Sequence, residues 1–265
     1  MKTVGLLGGM SWESTVTYYQ IINRVVGREL GGLHSARIHL HSVEFEEIQR
    51  LQHVGNWRET GDILAAAARA VERAGADFLV LCTNTMHLVA PQIEAAVDVP
   101  FLHIADATAE RIKAAGMDRI GLLGTRFTME EEFYRGRLEQ RHGLSVVTPS
   151  ADDRAVVPRV IYEELCRGKV EAAGVALAAR RGVEELERDG LDGLDLAQLA
   201  GAREQLINVS SAFLRCPNGR FTFLHERRGQ LRQRGTRVNR EDYRIIAPTI
   251  GLYRQTLYAH VQRSL

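Results

Sequence analysis

Three cysteines and three lysines in 265 residues are the scarcest reactive side chains of this sequence. An odd number of cysteines without close spacing argues for reduced thiols, as in the cytosol, rather than a disulfide framework. Lys2, Lys113 and Lys169 are the lysines, and basic charge otherwise rests on arginine. Lys113 and Lys169 fall within helical patterns rather than at strand ends, so a Schiff-base lysine, and with it pyridoxal phosphate, is not expected. No His/Cys/Asp spacing suggests a metal. No apolar run approaches the roughly 18 residues that a membrane helix needs, and no membrane partner is expected. The opening Met1-Lys2-Thr3-Val4-Gly5-Leu6-Leu7 becomes strand-like too quickly for a signal peptide, so the expected location is the cytoplasm.

Net charge is also nearly lacking, at +1, but its distribution is uneven. From Arg203 to Leu265 there are 12 arginines, no lysine and 4 acidic residues, a net of +8 against −7 for residues 1–202. Such a split marks a solvated arginine-rich face or a tail with an anionic partner.

What is present is an alternation of strand and helix. Thr3–Leu7 reads as a strand, and a helix follows from Trp12 to about Leu30, with Ser11 as its cap and Glu13 in its first turn. Strands are expected at Arg37–Val43, Phe78–Leu81, Val99–Ile104, Arg119–Leu123 and Leu144–Val147. Helices are expected at Asn56–Ala74, before Gly116, and from Asp152 to about Arg180. Strands alternating with helices of this length imply right-handed crossovers and parallel sheets. The expected organisation is a first α/β domain over residues 1–100, a second over 101–190, and a divergent arginine-rich tail over 191–265.

The run Phe78-Leu79-Val80-Leu81 is apolar throughout, as in a strand buried on both faces. It ends on Cys82, and Thr83, Asn84 and Thr85 follow where a helix would begin. Hydroxyl, amide and backbone N–H groups there form an anion cradle, and the helix start is expected to lower the Cys82 thiol pKa. That makes Cys82 the expected reactive thiol. Val4-Gly5-Leu6-Leu7-Gly8-Gly9-Met10 and Ile120-Gly121-Leu122-Leu123-Gly124-Thr125-Arg126 look alike, which fits two related α/β domains facing across a cleft. Ligands of such sheets sit beyond the carboxyl ends of the strands, where Gly8–Ser11, Cys82 and Gly124–Thr128 all fall. His87 and His103 read as packing or helix-terminus residues, and His34, His39 and His41 as members of a turn and a strand.

Gly5-Leu6-Leu7-Gly8-Gly9-Met10-Ser11-Trp12-Glu13-Ser14-Thr15, Gly32-Leu33-His34-Ser35, Leu81-Cys82-Thr83-Asn84-Thr85-Met86-His87, Leu102-His103-Ile104-Ala105-Asp106 and Leu123-Gly124-Thr125-Arg126-Phe127-Thr128-Met129 together resemble the cofactor-independent aspartate/glutamate racemase family. The broad-specificity amino-acid racemase branch is the most similar part of it, and the likeness runs from Met1 to about Ala178. The resemblance implies an α/β fold of two similar, Rossmann-like parallel-sheet domains related by a pseudo-twofold axis, a homodimer, an amino-acid substrate and no cofactor. It also implies opposed cysteines on the two sides of the substrate α-carbon, with Cys82 as one of them. Gly9, Met10 and Gln52 are implied to line the substrate pocket with Thr83, Asn84 and Thr85, and Thr125 and Thr128 to contribute from the second domain.

The family pattern breaks at the second cysteine. Where the family has an apolar strand ending in Gly-Cys-Thr-Glu, this chain reads Gly190-Leu191-Asp192-Gly193-Leu194-Asp195-Leu196-Ala197-Gln198-Leu199. Acids and glycines are poor occupants of a central strand. Cys166 matches a helical position outside the motif, and Cys216 falls in a turn with no strand pattern before it, so the second catalytic cysteine is unknown. The second domain is expected to be altered at its C-terminal end, with irregular packing of the tail. The expected function is an amino-acid racemase that transfers the α-proton through a thiol and is impaired by the missing partner. A non-catalytic amino-acid-binding module is the alternative, as is a chimera carrying a DNA-binding helix-turn-helix near Ile246–Val261, although no nucleic-acid partner is expected and a capping amphipathic helix fits that segment better.

Overall fold

The computed structural model describes residues 1–114, 116–149, 151, 156–168 and the strands Ser211–Leu214, His225–Arg227 and Gln230–Arg232. The Gly190–Leu199 stretch, Cys216 itself and the Ile246–Val261 segment lie outside the described residues. Two compact units divide the chain, one built on Met1–Arg111 and the other beginning at Ile112.

In the first unit, β1 (Thr3–Gly8), β2 (Arg37–Ser42), β3 (Phe78–Leu81) and β4 (Phe101–Leu102) form a parallel sheet in the order β2-β1-β3-β4. Register places Gly8 beside Ser42 and Leu7 beside Leu81. The ends of β1, β2 and β3 are therefore level, and the loops after them collect at one edge. α1 (Trp12–Leu30) crosses from β1 to β2. Ser11 precedes it in extended conformation but makes no side-chain cap. Thr15 instead ties down the turn before the helix: its Oγ1 accepts the Gly9 N–H at 2.8 Å and donates to the Ser11 carbonyl at 3.1 Å.

α2 (Phe45–His53) was not expected. Its cap is Glu44, whose carboxylate accepts the N–H groups of Glu46 and Glu47; these bonds hold its pKa below the usual carboxylate value. α3 (Trp57–Arg73) starts at Asn56, whose Oδ1 accepts the Glu59 N–H. Its buried face, Leu64, Ala67, Ala68 and Val71, packs with Leu7, Leu79 and Leu81 into one apolar core. Gly5 of β1 allows this close approach, because a Cβ there would lie 2.6 Å from both Leu79 and Val71. β4 is shorter than the expected Val99–Ile104 strand. His103 Nδ1 accepts the Ala105 N–H and starts α5 (Ile104–Ala114) at Ile104.

The second unit carries β5 (Arg119–Gly124), α6 (Arg126–Glu130), a π-helical turn (Arg137–Arg141) and β6 (Ser145–Val147), which pairs parallel with β5. The expected helix from Asp152 to about Arg180 is broken in its described part. α7 (Val156–Arg159), a π-helical turn (Val160–Glu164) and a 3-10 turn (Leu165–Arg167) succeed one another. They end at Gly168, whose φ of 67° lies in the left-handed region that glycine adopts without steric cost. β7 (Ser211–Leu214) lies antiparallel on the other edge of β5. The second sheet is thus mixed, where the alternation of strand and helix implied parallel strands alone; an antiparallel neighbour needs no crossover helix. β8 (His225–Arg227) and β9 (Gln230–Arg232) form an antiparallel pair.

Candidate active site

Cys82 stands one residue beyond β3, at the carboxyl edge of the first sheet, and both of its backbone polar groups are held. Its N–H donates to the Leu7 carbonyl at 2.8 Å. Its carbonyl accepts the Ser14 hydroxyl at 2.7 Å, which ties the cysteine to the first turn of α1. The sequence motif gives Ser14 no role of its own; its place in the first turn of α1, next to the loop after β1, is the available signal.

Gly9 and Met10 follow β1 at the same edge. Val43 N–H donates to the Gly8 carbonyl at 3.0 Å, bringing the segment after β2 over this turn. Gly9 has φ +95°, and a Cβ there would lie 2.2 Å from the Val43 carbonyl oxygen. Only glycine fits. Met10 is buried in the same apolar cluster as Leu81, Met86 and Ile48. Gln52 is buried in α2, one turn after Ile48 and on the same helix face. Gly9, Met10, Gln52 and Cys82 therefore belong to the carboxyl edge of one sheet or to the core beneath it.

Thr83, Asn84 and Thr85 are all buried. They lead into a 3-10 turn (Thr85–Val89) and then α4 (Ala90–Glu94), each only five residues long. Here the expectation for the thiol is overturned. Cys82 is fully buried, and removal from water pushes its thiol well above the ordinary cysteine value instead of below it. Two five-residue helices supply little of the field that a long helix would, so desolvation of the thiolate wins.

Thr125 and Thr128 belong to the second unit. Thr125 caps α6, accepting the Thr128 N–H at 3.2 Å, and the two hydroxyl oxygens lie 3.0 Å apart. Cys166 is half-buried in the 3-10 turn before Gly168. A strand does precede Cys216, contrary to expectation: β7 begins beside Gly124 and ends beside Gly121, running away from the Thr125 turn. Among the described residues there is no group of three or more His, Cys, Asp or Glu side chains placed to hold a metal ion, and no helix is long and apolar enough to cross a membrane.

A thiol and a polar turn at the carboxyl edge of a parallel sheet occupy the position where open α/β sheets take their ligands. The model of the Asp/Glu/Hydantoin racemase family matches residues 7–203. The chain belongs to that family. RacX of Bacillus subtilis, a broad specificity amino-acid racemase, is 34% identical over 65 residues, 24% of this chain and 28% of RacX. A candidate Asp/Glu racemase from Yersinia pestis has a similar structure, with a TM-score of 0.72 at 42% identity over 99% of this chain and all of that one. PH1733 of Pyrococcus horikoshii, an aspartate racemase homologue, has a TM-score of 0.68 at 26% identity, again over 99% and 100% of the two chains.

Proposed function

We propose that this protein is an amino-acid racemase of the aspartate/glutamate type, in which Cys82 exchanges the α-proton of a free amino acid without an added cofactor. Its inversion step is impaired because the second cysteine motif is missing. The observation that carries the reading is Cys82 itself, held through both backbone groups by Leu7 and Ser14 at the carboxyl edge of the first sheet. Gly9, Met10 and Gln52 serve as pocket residues and Thr83–Thr85 receive the substrate carboxylate.

The raised thiol pKa suits this chemistry in one direction and opposes it in the other. A thiolate of high pKa is a stronger base, which helps with the very weakly acidic α-proton, but little of it exists at neutral pH. The α-ammonium of a bound amino acid supplies a positive charge that favours the thiolate, so the base forms with the substrate in place. Donors preorganised around the carboxylate then stabilise the carbanion. Racemisation needs a second acid on the opposite face. No cysteine occurs between Cys166 and Cys216.

Cys82→Ser and Cys82→Ala test the role of the thiol. Exchange of the aspartate α-proton with deuterium is expected to fall by about 10²–10⁴-fold, while aspartate still raises the melting temperature of both variants. Unchanged exchange would overturn the reading. Stabilisation by aspartate with no exchange in the wild-type protein would favour a binding module, which the burial of Cys82 also fits.

A further inference from the structure

We propose that His87 is a positioning residue whose uncharged Nδ1–H tautomer aims the peptide after Thr83. This rests on the reading of the Cys82 turn as the substrate-carboxylate site, but the tautomer itself is testable without it.

Two contacts determine where the hydrogen sits. The Ile104 backbone N–H, which can only donate, lies 3.2 Å from His87 Nε2. Nε2 must therefore present its lone pair. His87 Nδ1 lies 2.8 Å from the Thr83 carbonyl oxygen, which can only accept. Nδ1 must therefore carry the hydrogen. An imidazolium would set an N–H against the Ile104 N–H, and the Nε2–H tautomer would in addition set a lone pair against the Thr83 carbonyl. Only the neutral Nδ1–H form meets both constraints. His87 is buried, so water does not relieve a mismatch. His103, with its ring centroid 4.5 Å away, accepts the Ala105 N–H on Nδ1 and so keeps its own hydrogen on Nε2. The two histidines hold opposite tautomers, and each is set by a backbone amide at the start of α5.

The consequence for the site follows from peptide planarity. The Thr83 carbonyl and the Asn84 N–H belong to one rigid, trans unit and point in opposite directions. Holding that carbonyl toward His87 turns the Asn84 N–H away from it. His87 thereby links the start of α5 to the orientation of an amide in the turn assigned to the carboxylate. It touches no reacting atom in this scheme, so its effect should show in substrate affinity.

The two hydrogen bonds can be removed separately. In His87→Asn the amide NH₂ occupies the place of Nδ1 and can still donate to Thr83. In His87→Gln the side-chain carbonyl reaches the place of Nε2 and can still accept from Ile104, but the donor to Thr83 is gone. The expected result is a KM for aspartate in the α-exchange reaction raised about tenfold or more in His87→Gln, and only a few-fold in His87→Asn. Melting temperatures identify any variant that fails to fold. Nitrogen-15 NMR of the ligand-free wild-type protein at neutral pH should show Nδ1 protonated and Nε2 bare, the less common tautomer of free neutral histidine. A protonated Nε2 would overturn the proposal, as would equal loss of affinity in folded Asn and Gln variants. Should wild-type protein show no exchange, the racemase reading fails alone; the tautomer and the aspartate dissociation constants of the two variants still decide the role of His87.

Discussion

At Cys82, burial and the start of a helical turn act on the same thiol with opposite signs, and burial prevails. Above about pH 8.5 the thiols of an unfolded chain lose their protons, whereas folded Cys82 keeps its own. The unfolded state then binds fewer protons, so folding stability should fall with rising pH by about 1.4 kcal/mol per unit for this one group. Denaturant titrations between pH 8 and 10 should show a steeper alkaline loss in wild-type protein than in Cys82→Ala; equal slopes would contradict the burial of the thiol. Alkylation at pH 7 followed by mass mapping should modify half-buried Cys166 before Cys82. The position of the cysteine after an apolar strand was legible, because four consecutive apolar residues followed by small polar ones signal a strand end. Its pKa was not, because burial depends on packing between segments far apart in the chain.

The first sheet and its crossover helices form one packed element. Gly5→Val should destabilise the protein by about 1–3 kcal/mol, because the added carbons overlap Leu79 and Val71; unfolding in urea measures this, and an unchanged midpoint would show that α3 does not seat on β1. At Gly9 a side chain meets the Val43 carbonyl instead of movable side chains. Gly9→Ala should therefore cost aspartate affinity as well as stability, and unaltered affinity in a thermal-shift titration would remove Gly9 from the pocket. β1, α1, β2, α3 and β3 were legible from alternation, helical period and stop signals. α2 escaped because it is nine residues long and opens on Glu44, an unusual cap, although Phe45, Ile48, Leu51 and Gln52 do follow a helical period. His103 cut β4 short through a bond to its own local backbone, which a strand pattern does not reveal.

Across the whole chain, the family match through residue 203 and the parallel first sheet agree with the two-domain α/β reading, while the second sheet departs from it in β7. The proposed first half-site was legible because its residues cluster in short motifs at strand ends. The second was not, because Gly190–Leu199 carries two acids, Asp192 and Asp195, where an apolar strand would be read. One thiol can remove an α-proton and return solvent deuterium to the same face, whereas inversion needs an acid on the other. The most direct test follows deuterium incorporation by NMR and inversion by chiral chromatography in the same reactions, with L- and D-aspartate and glutamate. The account predicts Cys82-dependent exchange that outpaces inversion by about 10²-fold or more. Fast inversion in both directions would contradict it and reveal a second acid that replaces the missing cysteine.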